Sequence, residues 1–259
     1  MRKFILFILV SAIVFPITIS AQTHILEKGY PILKLQATKI NGNNGVAVTY
    51  SPKLKLYYTA YAGNQDYALE TFDAGGKKLF EQSIGFDSRG LWYNSKSKAL
   101  EGNAYRGLGL YRIKLDKSGK PAKAESIIPR IEMPDDHTVG IYNPKKNEIM
   151  YFYNNTLHLY SADKHKLKNS TKLNLPLSSY DFNERNMFFT GKKDIEIAMF
   201  DYSTYELFFF NLKTGKISGK TYIPLSFEPM QSFNISFCND ILFVFDYATK
   251  IWHGFQVFK

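Results

Sequence analysis

The chain has 259 residues, with 33 Lys and Arg against 23 Asp and Glu, and a single cysteine. One cysteine excludes an internal disulfide framework, so stability must come from packing. The lysines are scattered with no run of five like charges, which favours a solvated basic surface over a nucleic-acid-binding stripe.

Residues 1–21 form their own unit: Arg2 and Lys3, an apolar run from Phe4 to Phe15, Pro16, and a tail ending Ser20-Ala21. About 20 apolar residues are needed to cross a bilayer and this run is shorter, so it predicts a secretory signal peptide cleaved after Ala21, although Ile19 is bulky for its place before the cut. The expected destination is the periplasm or the extracellular space. The mature chain, residues 22–259, keeps 31 basic against 23 acidic residues, a formal charge of +8, and has no membrane span of its own. Its length suits one domain, since all-β domains commonly reach about 200–250 residues.

After the leader, aromatics make up short runs such as "LKLYYTAY", "EIMYFYN", "ELFFFNL" and "ILFVFDY", bounded by Gly, Asn, Asp and Pro. Short β-branched and aromatic runs between turn formers are strand signals, and no segment sustains a helical period. An opening strand recurs at 45–53, 90–97, 139–146, 179–185 and 234–240. Tyr50, Tyr93, Tyr142, Phe182 and Phe237 are read as equivalent, at intervals of 43, 49, 40 and 55. A turn also recurs, as "FDAGGK" (72–77), "LDKSGK" (115–120), "YSADKH" (160–165) and "LKTGK" (212–216), each followed by a lysine-led outer strand. Glycine there supplies the positive φ of a tight reversal.

Four short strands per 40–50 residues is the pattern of a β-propeller blade. The blades are expected at 45–84, 88–128, 137–175, 179–224 and 233–259. The fourth is overlong, so it carries an extra hairpin or hides a sixth blade. The last unit lacks an outer strand, and residues 30–40 precede the first unit without a partner. Pairing the two, strand 30–40 with 252–258, would close the ring and cover exposed sheet edges.

The phrases "GVAVTYSPKLKLYYTAY", "GIYNPKKNEIMYFY" and "FFFNLKTGK" resemble the secreted β-propeller superfamily, with its WD-like, YVTN-like and NHL-like repeats, over residues 28–259. The resemblance implies a fold and no single activity, since propellers host binding modules, glycosidases and lactonases. The Trp-Asp ending of the WD class is missing, so no functional residue carries over.

Metal signatures are weak. His24, His137, His158, His165 and His253 show no HxxH spacing, and a calcium gathered in the channel by distant Asp and Asn is the one metal site the spacing leaves open. Cys238 reads as a small buried hydrophobe. A glycoside hydrolase or lactonase-like hydrolase would hold paired carboxylates in the channel. Glu27 is the only acid between residues 22 and 65, and no G-x-S-x-G elbow is present, so a non-catalytic binding or interaction module is the first reading and the hydrolase the second. Its ligand is a small molecule, glycan or protein, with no cofactor required.

The candidate site is the channel mouth, where the loops leading into the first strand of each unit converge. Those loops carry Asn43 and Asn44, Asp87 and Arg89, Asp135, Asp136 and His137, Ser178 and Ser179, and Gln231 and Ser232. Asn44, Asp87, Arg89, Asp136, His137 and Gln231 are the expected ligand contacts, because Arg beside carboxylates gives directional hydrogen bonds. As exposed loop positions, Arg89 and Asp136 are expected to affect binding much more than stability.

Overall fold

A computed structural model describes residues 24–40, 42, 44–63, 67–173, 175 and 179–259. The signal-peptide segment, Asn43 and Ser178 lie outside the described residues. Those residues contain no α-helix, and no helix is long and apolar enough to cross a membrane.

The chain begins with β1 (Ile25–Gln36). The first four-stranded set is β2 (Asn44–Ser51), β3 (Leu56–Ala62), β4 (Ala68–Phe72) and β5 (Lys78–Ser83). The second is β6 (Trp92–Asn94), β7 (Ala99–Asn103), β8 (Leu110–Ile113) and β9 (Glu125–Ile128), with a 3₁₀ turn at Tyr105–Gly107. The third is β10 (Ile141–Asn143), β11 (Glu148–Tyr153), β12 (Thr156–Ser161) and β13 (Leu167–Lys172). The fourth is β14 (Phe188–Phe189), β15 (Ile197–Asp201), β16 (Glu206–Phe210) and β17 (Ile217–Tyr222). The fifth is β18 (Ile235–Cys238), β19 (Ile241–Asp246) and β20 (Ile251–Phe258), with β1 as its outer strand.

Each set is an antiparallel meander. The expected strand at 30–40 is observed at 25–36, and it pairs with β20 from Ile25↔Phe258 to Gln36↔Ile251, with two register shifts between. A parallel bridge, Lys28↔Tyr222, also links β1 to β17 of the fourth set. The first strands of the sets touch in cyclic order, β2 to β6, β10, β14, β18 and back to β2. The fold is all-β and propeller-like.

The hydrophobic core lies in the seams between successive sets, because each sheet is apolar on both faces. One seam packs Leu100 against Leu69 and Tyr58, and another packs Trp252, Phe243 and Phe245 against Tyr57, Tyr61 and Phe72. A fully buried side chain of this size contributes about 1.5–3 kcal/mol relative to its exposed state.

The recurring turn is held by a side-chain acceptor. Asp73 Oδ1 accepts from the backbone N–H of Gly75 and Lys77, and Asp116 Oδ1 from Ser118 and Lys120, at 2.8–3.0 Å. Gly76, Gly119 and Gly215 have φ of +87°, +85° and +67°, while the degenerate copy places His165 there at +48°.

The fourth set corrects the sequence reading. Residues 179–185 are not its opening strand; Phe188–Phe189 are, and Phe182 makes only an isolated bridge to Asp201. Tyr180 and Phe182 pack instead on Phe208, with centroids at 4.6 and 5.7 Å, so tertiary packing overrides the local strand signal. With Phe189 as the equivalent residue, the last three intervals even out to 49, 47 and 48. The strands at 188–189 and 197–201 then belong to one ordinary meander rather than to an added hairpin.

Candidate functional site

The loops leading into β2, β6, β10 and β18 meet at one end of the molecule around a hollow of about 400 Å³. Asn44, Asp87, Arg89, Tyr105, His137 and Phe233 are among the residues lining it. Four of the six expected contacts are therefore brought together.

Arg89 is the centre of this group, and it is not an exposed loop residue: its side chain is only 6% accessible. Asp87 receives its fork from both sides, with Nη2 at 3.0 Å from Oδ2 and Nη1 on Oδ1, while Nη1 also donates to the Ser88 carbonyl at 2.8 Å. Its guanidinium lies 4.4 Å from the Tyr105 ring centroid and 4.7 Å from that of Phe233. The expectation of an exposed Arg89 is corrected, and with it the ground for expecting its removal to cost little, because removal would take away a buried cation and leave its carboxylate partner behind.

Backbone geometry fixes this arrangement. The Arg89 N–H donates to the Asn103 carbonyl at 2.8 Å, and the Tyr105 N–H to the Asp87 carbonyl at 2.8 Å. Asn103 is fully buried, and its Oδ1 accepts from the Gly140 N–H at 3.1 Å, tying the second and third leading loops together. A Cβ on Gly90 would stand 2.5 Å from that Oδ1 and 2.7 Å from the Gly140 carbonyl, so only glycine fits.

The His137 ring sits 4.8 Å from Tyr105 and lies nearly parallel to Phe233 at 6.2 Å. Its backbone N–H is fixed by Asp135 Oδ1 at 2.9 Å. Asn44 Nδ2 donates to Ser232 Oγ at 3.1 Å. Asp136 points away: its side chain is 60% exposed and 3.8 Å from Arg106. Gln231 is exposed and donates to Asp181, between two neighbouring hollows. Asp135 is taken by Arg185 at 2.7 Å.

The neighbouring hollows, of about 600 and 510 Å³, continue around the same end. The second of them has two carboxylates, Asp181 and Glu228, among its lining residues, both exposed. Among the described residues no group of three or more His, Cys, Asp or Glu is placed to hold a metal.

The leading-loop argument missed a second contributor, the turns between the second and third strands. Tyr105, Tyr202 and Tyr247 lie in those turns in the second, fourth and fifth sets, Tyr153 ends the strand just before the turn in the third, and all four line the hollows. Their even spacing, 48, 49 and 45 residues, was available as a signal.

No family model matches the chain, and no curated protein matches it in sequence. Solved structures do match. A glutaminyl cyclase from Myxococcus xanthus is similar over 89% of this chain and 97% of that one, at 8% identity and a TM-score of 0.57. Two lower-scoring matches are Sqt1 from Saccharomyces cerevisiae, at 11% identity over 89% and 88% with a TM-score of 0.43, and a nidogen–laminin complex, at 10% over 81% and 74% with 0.43. At such identities the likeness concerns the fold alone.

Proposed function

We propose that this chain is an exported, closed five-bladed propeller acting as a non-catalytic binding module, with its ligand at the mouth. Five four-stranded sets, their cyclic inner contacts and the β1–β20 pairing support the closed ring. The observation that carries the functional reading is the Arg89 assembly: a buried guanidinium neutralised by Asp87, walled by Tyr105 and Phe233, with His137 against both rings. With its charge already paired, Arg89 is better suited to orienting polar groups than to capturing a strong anion. Aromatic faces beside fixed hydrogen-bonding groups suit a hydroxyl-rich ligand whose C–H faces stack on rings, as a glycan does. Titration calorimetry with a panel of neutral oligosaccharides tests this. Binding by at least one, weakened tenfold or more in both Phe233→Ala and Tyr105→Ala, is expected; equal affinity in both variants would refute the site.

The hydrolase reading has the Asp181 and Glu228 pair to draw on. Both are exposed, whereas a carboxylic acid that donates a proton near neutrality needs a desolvated setting or a close like charge. Nitrophenyl glycosides and simple lactones are expected to survive incubation with the protein, and turnover lost in Glu228→Gln would reverse this choice.

A further inference from the structure

Below the mouth the channel becomes a different kind of space. A cavity of about 320 Å³ is lined by residues from all five sets, including Val48, Trp92, Tyr142, Phe188 and Phe237. No Asp, Glu or Arg lines it. Its rim at the face away from the mouth is formed by Lys145, Gly191 and Cys238, which lie in or beside the turns that follow β10, β14 and β18. Burial pushes the Cys238 thiol well above its usual range, so it adds no charge there.

Thr49, Asn186, Thr190 and Ser236 also line the cavity, but most of the walls are aliphatic or aromatic. The volume falls at the lower end of the roughly 300–1,000 Å³ typical of small-molecule pockets. The rim is basic. Lys145 Nζ donates across a seam to the Gly191 carbonyl at 3.0 Å, and none of the ion pairs among the described residues involves it. Lys146 and Lys193, next along the same two turns, are exposed, while Lys192 is paired with Asp240 at 3.1 Å.

We propose that this cavity is a second binding site, for an apolar monocarboxylic acid of the medium-chain fatty-acid class, with the chain along the axis and the carboxylate at Lys145. The mainly apolar walls select the apolar body, and the ammonium of Lys145, the lysine that lines the cavity, selects the charged end. The site is distinct from the mouth, since none of the residues lining the hollow around Arg89 lines it.

Trp92 lines the cavity, whereas Trp252, the only other tryptophan, is buried in the seam between the fifth and first sets. In a Trp252→Phe chain, Trp92 emission therefore reports on the channel. Titration with decanoate is expected to give a saturable change, with decanol binding at least tenfold more weakly. Lys145→Glu, an exposed substitution, should weaken decanoate at least tenfold and leave decanol unchanged. Val139→Phe and Val46→Phe, which fill the cavity from different sets, should abolish the change for both ligands, while Phe233→Ala at the mouth should not. Undiminished decanoate affinity in Lys145→Glu, or in either filled variant that folds, overturns the proposal, as does the absence of a saturable signal.

Discussion

At the end where the leading loops gather, the side chains that meet come from loops and turns; the walls of the cavity below them come largely from the first strands, with turn residues at its rim. The difference decides their chemistry. The leading loops and the tyrosine-bearing turns lie largely outside the regular strand pairings, so they can bring Asp87 and Arg89 of the second unit together with His137 of the third. The first strands must pack against each other around the axis, and the residues they send inward are Val48, Trp92, Phe188 and their like. One repeat therefore yields a polar, ring-walled end and an apolar one.

The comparison breaks most severely if the proposed ring opens. Deleting residues 22–40 removes β1, strips β20 of its outer partner and exposes a long edge, so both ends should be lost together, with aggregation or a broad, non-cooperative melt. A deletion variant that melts like the parent would remove the basis for closure. Arg89→Ala should act on the mouth alone. It leaves Asp87 without its partner, and since Asp87 is partly solvated a loss of about 2–3 kcal/mol is expected, somewhat below that of a fully buried pair. Chemical denaturation measures it, and Asp87→Ala added to Arg89→Ala should restore part of the loss.

Phe233→Ala sharpens the comparison at lower cost. Phe233 is half-buried against the core between the first and second sets, so about 1 kcal/mol of stability should go, well short of a fully buried Phe→Ala. Decanoate affinity at the far end should stay unchanged. The smallest effect lies at the outer part of the third set, away from both ends. His165 stacks on Tyr160 at 4.5 Å and meets Tyr151 Oη at 2.9 Å, and burial pushes its pKa down from 6.5 to about 4. The unfolded chain takes up this proton as pH falls through 6.5, while the folded chain does so only near 4. Stability is thus full above pH 6.5 and declines between 6.5 and 4. Burial also lowers the pKa of His158 and His253, which adds to the same trend. His165→Asn, which tolerates the positive φ, should flatten the slope of melting temperature against pH without abolishing it.

How far the sequence could be read follows from the same division. The Gly-Lys turns were legible because a reversal with positive φ leaves a residue-level mark at Gly76, Gly119 and Gly215, and the surplus strand at one terminus announced its missing partner at the other. Phe182 misled because alternating aromatics look alike in a strand and in a packed loop; only Phe208, far along the chain, distinguishes them. Asp87, Arg89 and His137 were legible by aligning loops. Phe233 was not, since an aromatic before a strand reads as part of it, and the burial of Arg89 depends on two rings, Tyr105 later in its own unit and Phe233 from the fifth. The apolar channel was hidden for a related reason: strand alternation tells which residues share a face but not which face meets the axis.

The pairing of β1 with β20 sets an order of events as well as a geometry. β1 precedes β20 in the chain with four sets of strands between them, so the strand that completes the fifth set waits until those sets have been synthesised. This is among the most non-local contacts the chain can make, and contacts of such sequence separation form late and slowly. Throughout that interval β1 is an unpaired edge carrying Tyr30 and Ile32, which remain exposed even in the finished fold. Pro31 between them, with Lys28 and Lys34 on either side, is the kind of punctuation that discourages such a strand from pairing with another copy before its own partner arrives.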